Sequence, residues 1–145
     1  MDRRELMQGA GAIVVAALGS AALAAEHDHH EHHGAGGNQS LIAATGNCVE
    51  KGELCLAHCL VLLGDGDKEM AACAKSVNQM LAVCSALQKL ASQSSKQAPA
   101  LAKVALESCA ECEKECKKHE DMHAECKACA EACAACGKEC KALVG

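Results

Sequence analysis

The sequence predicts an all-α protein, an antiparallel up-down-up-down four-helix bundle with a cysteine-lined core, and three observations carry that expectation. Cysteine and aliphatic positions recur at helical spacing along residues 47–143, with no alternating β-branched run that would read as strand. The periodic segments are separated by short breaks rich in Gly, Asp and Ser, and the chain has only one Pro, Pro99. Aromatic residues are absent, so each helix has one face of small and sulfur-bearing side chains to bury, and four helices of similar length bury such faces against one another.

The first 39 residues stand apart from that pattern. Met-Asp-Arg-Arg-Glu-Leu-Met is followed by a Gly- and Ala-rich apolar stretch from Gly9 to Leu23 and by Ala22-Leu23-Ala24, a small-x-small cleavage site. With Arg3-Arg4, residues 1–24 read as a twin-arginine signal peptide; the run is too short and too weakly apolar for a transmembrane anchor. Export would place the mature chain in the periplasm or otherwise outside the cytosol, with no membrane attachment after cleavage, and this route moves chains already folded. Residues 25–39 read as a His-rich and Gly-rich flexible segment, Glu-His-Asp-His-His-Glu-His-His followed by Gly34-Ala35-Gly36-Gly37. Cleavage after Ala24 leaves His27 third from a free amine, which suits square-planar Cu(II); the alternative is a solvated tail.

Residues 40–145 form the single expected domain. Helix one runs from Asn47 to Leu63 and stops at Gly64-Asp65-Gly66-Asp67, where Asp67 can cap the next helix. Helix two runs from Lys68 to Ala91 with Met70, Cys73, Val77, Met80, Cys84 and Leu87 inward, and Ser92 to Gln97 connects it onward. Pro99 suits the first turn of helix three, whose inward stripe is Leu101, Ala105, Cys109, Cys112 and Cys116. Helix four begins near Asp121 and ends near Leu143. No Gly or Pro separates helices three and four, but an unbroken helix of about 45 residues would extend about 68 Å with no partner of matching length. A break at Lys118 to Asp121 is therefore expected.

The thirteen cysteines carry the chemistry. Cys126, Cys129, Cys133, Cys136 and Cys140 step by three, four, three and four residues, as do Cys109, Cys112 and Cys116 over a shorter run, with Cys55/Cys59, Cys73/Cys84 and Cys48 elsewhere. Such positions share one helix face, with Cβ atoms about 5–6 Å apart, wider than the roughly 3.5–4.5 Å of a disulfide. A metal ion spans that gap with two bonds, so the C-x-x-C and C-x-x-x-C pairs read as metal clips, and the odd number of thiols also argues against complete pairing. Tetrahedral Zn²⁺ on thirteen thiolates would bind about three ions and leave about −7 buried. Cu(I) is soft, is satisfied by two or three sulfurs and can approach one ion per bridging thiolate, which neutralises the core. Cu(I) is the expected metal, up to about one per Cys; iron–sulfur clusters are disfavoured by the helical placement and the missing Cys-Pro.

A twin-arginine leader, an aromatic-free helical domain and thirteen cysteines in helical ladders resemble the exported members of the bacterial copper storage protein family. That resemblance implies a four-helix bundle that assembles into a homotetramer and stores many Cu(I) ions on core-facing cysteines, in methane oxidisers as a reserve for the copper enzyme methane monooxygenase. An enzyme is not expected, because one ligand type repeats along the core where catalysis needs a few positioned groups and a substrate cavity. The alternatives are an exported metal-detoxification or zinc-thiolate protein and a disulfide-bonded structural domain. A net charge of −5, with lysines scattered among acids, excludes a nucleic-acid surface.

The topology also places the non-cysteine ligands. The turns after helices one and three fall at the same end, flanked by His58, Met70, His119, Met122 and His123, which are candidate metal ligands at a port. Leu87, Leu90, Leu101, Val104 and Leu143 are expected to close the other end. Met80 is read as core filling, Leu54, Leu81, Leu87 and Leu90 as packing, and Asn78 as solvated.

Overall fold

In the computed structural model, which describes residues 35–145, four helices follow one another: α1 (Ala35–Gly64), α2 (Met70–Ser92), α3 (Ala98–Lys117) and α4 (Ala124–Val144). The signal peptide and the His tract lie outside the described residues. α1 packs on α2 and α4, and α3 packs on the same two helices, so each helix touches its two neighbours around a single core. Short turns join consecutive helices, and the bundle is up-down-up-down as expected. No described helix is long and apolar enough to cross a membrane.

The turns show why the chain reverses where it does. Gly66 has φ +99°, its N–H donates to Leu63 O at 3.1 Å, and the Asp67 N–H donates to Leu62 O at 3.0 Å. These two bonds close a Schellman motif on α1, which needs the left-handed residue that Gly supplies. Asp67 Oδ1 then accepts the Glu69 N–H at 3.0 Å, holding the chain for α2. α2 ends in the same motif without glycine: Ser94 takes φ 50°, Ser94 N–H donates to Ala91 O at 3.0 Å, and Ser95 N–H donates to Leu90 O at 2.9 Å. Between α3 and α4, His123 is extended, and its N–H donates to His119 O at 2.9 Å. The break expected at Lys118 to Asp121 thus spans the turn up to His123, and α4 starts three residues beyond Asp121.

α1 differs most from the expectation. It begins at Ala35 where Asn47 was expected, and residues 35–39, read as flexible linker, are its first turns. Glycine and asparagine suggested a linker, but Leu41 and Thr45 extend the inward stripe of Cys48, Gly52, Cys55 and Cys59. Thr45 buries its hydroxyl by donating to Leu41 O at 2.7 Å, so no polar group is stranded. Asn38 Nδ2 donates to Ala91 O at 3.3 Å and ties the start of α1 to the end of α2.

The inward stripe of α2 is as expected, with Met70, Cys73, Val77, Met80, Cys84 and Leu87 all fully buried. On α3 the core positions are Ala98, Ala102, Ala105, Cys109, Cys112 and Cys116, so Leu101 lies at the margin and Val104 is 47% exposed. Val104 therefore does not belong to the apolar plug; Leu87, Leu41 and the margins of Leu90, Leu101 and Leu143 form it. Leu54, expected to pack, is 54% exposed, one step around α1 from the buried Cys55. Among the described residues no buried side-chain nitrogen or oxygen lacks a hydrogen-bond partner.

Two substitutions test this account by urea denaturation of reduced, metal-free protein, which is expected to be helical by far-ultraviolet circular dichroism. Gly137 lies inside α4, and a Cβ there would meet only Leu106 Cδ1 at 3.5 Å, an ordinary contact. Gly137→Ala is expected to stabilise by about 1 kcal/mol through helix propensity. Ser94→Gly is expected to stabilise by about 1 kcal/mol by relieving the left-handed conformation. A lower urea midpoint in either variant contradicts the geometry.

Candidate metal centre

All thirteen cysteines are free and buried, and they converge on the bundle axis. Cys48, Cys55 and Cys59 come from α1, Cys73 and Cys84 from α2, Cys109, Cys112 and Cys116 from α3, and the remaining five from α4. Helices in a bundle pack about 8–10 Å apart. At that spacing a Cys side chain, one methylene and one sulfur long, reaches the midline and meets its counterpart from the facing helix.

The closest sulfur contacts lie between helices. Cys73 to Cys116 and Cys84 to Cys109 are 3.6 Å, Cys48 to Cys133 is 3.7 Å, and Cys55 to Cys126 and Cys112 to Cys129 are 3.8 Å. The one such contact along a helix is Cys112 to Cys116, at 3.9 Å. Four groups of thiols have all their sulfurs within 4.8 Å of one another: Cys55/Cys59/Cys73/Cys126, Cys55/Cys116/Cys129, Cys112/Cys129/Cys133 and Cys48/Cys84/Cys109/Cys136. Two of the sequence clips, Cys55/Cys59 and Cys129/Cys133, appear within these groups, always with a partner from another helix. No C-x-x-C pair shares a group, because side chains from facing helices bring their sulfurs together at the midline while thiols three residues apart on one helix splay to either side. The last group draws one cysteine from each helix, and Cys140 stands outside all four.

The groups form a column. Cys55 is shared by the first and second, Cys129 by the second and third, and the Cys48–Cys133 contact joins the third to the fourth. Hydrogen bonding distributes the protons unevenly along it. Cys109 is drawn down to about 5 by hydrogen bonds led by that from Cys133, and Cys136 to about 5 by those led by Cys109. Cys73 and Cys129 also lie below the ordinary thiol range, through hydrogen bonds led by Cys116 and Cys112 respectively. Cys133 and Cys116 are pushed up as the donors in these bonds, to Cys109 and Cys112 first, and burial raises Cys59 to about 11. A sulfur that accepts an S–H bond holds its negative charge more easily, and the donor keeps its proton.

At the α1–α2 and α3–α4 turns the structure brings the three histidines together. His58 Nε2 and His123 Nδ1 are 3.0 Å apart, one ring N–H donating to the other nitrogen, and the His119 and His123 rings are 6.5 Å apart. His119 is buried, and Glu125 Oε2 lies 3.8 Å from His58 Nε2, a neighbour the sequence reading did not single out. Met70 is fully buried at the start of α2, whereas Met122 is 72% exposed and stands apart from the cluster.

Met80, read as core filling, is fully buried in the core, and its Sδ lies 3.3 Å from Cys48 Sγ. Its helical register with Cys73 and Cys84 was the available signal.

The family model for Csp, described as copper storage protein, matches residues 34–145. Among curated proteins no match was found. Several solved structures resemble the chain. Cu(I)-bound copper storage protein BsCsp3 is 22% identical with a TM-score of 0.68, covering 75% of this chain and 99% of that one, which shows the shared fold. Ccsp from Streptomyces lividans, loaded with ten copper equivalents, is 25% identical with a TM-score of 0.67, over 74% of this chain and 83% of that one. A cytosolic copper storage protein from Streptomyces lividans, with five coppers, is 25% identical with a TM-score of 0.67, over 74% and 92% of the two chains.

Two solution measurements check the thiol column. Denatured anaerobically, the protein is expected to yield about thirteen free thiols per chain to a thiol reagent, and nearly none would mean disulfides. Below pH 11 Cys59 is protonated, so a metal that binds it must displace a proton. Affinity at its group is expected to fall about tenfold per pH unit for each proton displaced as pH is lowered. Proton release followed with an indicator dye during metal titration reads this directly.

Proposed function

The chain belongs to the copper storage protein family, and from that premise we propose that it holds multiple Cu(I) ions on its core thiolates, up to about one per Cys, as an exported copper reserve. The observation that carries this reading is the continuous column of thiol groups drawn from all four helices. Each thiolate in such a column can bridge two ions, and a singly charged metal neutralises it one for one. Zn²⁺ in isolated four-sulfur sites leaves the thiols between sites unused and the charge unbalanced. The reading is storage and not catalysis, because the ligands are repeated and enclosed.

Export rests on Arg3-Arg4, the apolar stretch and the Ala22-Leu23-Ala24 site. A homotetramer is supported by the family resemblance and by Leu54, Leu60 and Val61, which are large and exposed on the outer side of α1. The recipient is a copper enzyme such as methane monooxygenase, on the resemblance alone.

The His cluster is the port. Imidazole and thioether bind Cu(I) without adding negative charge, which suits a site the ion must leave. His58, His119, His123 and Met70 lie where the first thiol group begins, since Cys59 and Cys126 are each within a turn of a histidine in sequence. Met122 reaches outward, where it meets incoming ions first.

Anaerobic titration of reduced protein with Cu(I) against a competing chelator, with metal counted per chain, is the decisive experiment; about one ion per Cys is expected. Replacing Cys109, Cys112, Cys116, Cys126, Cys129, Cys133, Cys136 and Cys140 by Ala breaks every thiol group. The variant is expected to retain about one or two ions at Cys55, Cys59 and Cys73. A folded variant with parental capacity would show that thiolates are not the store.

A second prediction concerns rate. Converting His58, Met70, His119, Met122 and His123 together to Ala is expected to slow Cu(I) uptake and removal at least tenfold while capacity stays near that of the parent. Unchanged rates in both directions would place the port elsewhere.

A further inference from the structure

Met80 brings a thioether up to the thiol column. It is fully buried near the middle of α2, a turn from Cys84, and its Sδ lies 3.3 Å from Cys48 Sγ, the shortest sulfur–sulfur approach among the hydrogen-bonded contacts of the described residues. Cys48 is also 3.7 Å from Cys133. Those two cysteines belong to different groups, Cys133 to Cys112/Cys129/Cys133 and Cys48 to Cys84/Cys109/Cys136. Unlike the other junctions of the column, this seam shares no cysteine, and the thioether sits beside it.

α1 is cut to receive Met80. Gly52 lies one turn beyond Cys48 and three residues before Cys55, and a Cβ at that position would come within 2.7 Å of Met80 Cε and 2.8 Å of Leu81 Cδ2. A glycine inside a helix costs about 1 kcal/mol relative to alanine. Its presence in the middle of α1 leaves the thioether methyl a place on the α1 side and keeps Sδ turned to Cys48.

We propose that Met80 Sδ is a metal ligand, completing with Cys48 and Cys133 a three-sulfur Cu(I) site that bridges the third and fourth thiol groups. The inference rests on the storage reading above. With metal–sulfur bonds of about 2.3 Å, three sulfurs around one ion lie about 4 Å apart, close to the 3.3 Å from Cys48 to Met80 and the 3.7 Å from Cys48 to Cys133. In the metal-free protein Cys48 S–H donates to Met80 Sδ. On binding, Cu(I) displaces that proton and the one on Cys133, both of which leave to water; bonds form from Cu(I) to Cys48 Sγ, Cys133 Sγ and Met80 Sδ, with no change of oxidation state. A neutral thioether adds a bond without adding charge, so an ion at the seam is held without deepening the negative charge of an incompletely filled column, and it can pass between the two groups.

Selenium X-ray absorption on full-length, selenomethionine-labelled protein loaded anaerobically with Cu(I) tests the assignment. Selenium–copper scattering at bonding distance is expected in the parent, weakened in Met80→Leu and retained when Met70 and Met122 are both replaced by Leu. Met80→Leu conserves volume, and its near-ultraviolet thiolate-to-copper absorption is expected to saturate at the parental number of equivalents, with one ion lost to chelator about tenfold more readily. Scattering that is undiminished in Met80→Leu, or absent from the Met70→Leu/Met122→Leu protein, overturns the assignment while the thiolate absorption keeps storage intact. Absence of thiolate-to-copper absorption in the parent overturns storage itself, and the Met80 site with it.

Discussion

Everything in this bundle depends on the double nature of a buried thiol. Protonated, Cys is a small hydrophobe that packs against Ala, Leu and Val; deprotonated, it is a soft anionic ligand. Thirteen such groups fill one interior, which can pack dry as thiols but cannot hold thirteen uncompensated charges. Fold and metal chemistry are therefore linked through the proton. The hydrogen-bonded sulfurs already sort into donors such as Cys133 and Cys116 and acceptors such as Cys109 and Cys129, so an incoming monovalent cation meets charge in some places and displaces protons in others.

The same constraint explains the absence of aromatic residues. A ring of Phe or Trp would hold facing helices apart and interrupt contact between sulfurs. Ala98, Ala102 and Ala105 on α3, and Ala130 and Ala132 on α4, bury with the thiols and keep the helices close. Large side chains are admitted mainly toward the ends, Leu41 and Leu87 among them, with Met70, Val77 and Met80 on the inner face of α2.

The two ends of the bundle differ in chemistry because the topology sorts the turns. The α1–α2 and α3–α4 turns bring His58, His119 and His123 together, with Glu125 beside them. The opposite end closes on aliphatic side chains and on the hydrogen bond from Asn38 to Ala91. A column with one polar, imidazole-bearing end and one apolar end has a direction, and its sulfur groups overlap from the first toward the fourth.

Four helices, their inward stripes and a thiol core were legible in the sequence, because helical periodicity is local and a face that repeats every three or four residues declares itself. Pro99 and Gly64-Asp65-Gly66-Asp67 marked their turns for the same reason. The start of α1 was not legible: Gly36 and Gly37 resemble a linker, and only packing of Leu41 and Thr45 against the rest of the bundle makes helix the better state. Nor was the partnership of the sulfurs. Spacing along a helix names which thiols share a face, but which thiols come together depends on helices separated by tens of residues, as in Cys48/Cys84/Cys109/Cys136. The nearness of Met80 to Cys48 was equally hidden, because a methionine on an inward stripe looks the same in sequence whether it faces leucine or thiol. The sequence by itself determined the ligand type, the helices and the face; the tertiary structure decided the neighbours, because a short side chain reaches a partner only when the interhelical distance and register bring it there.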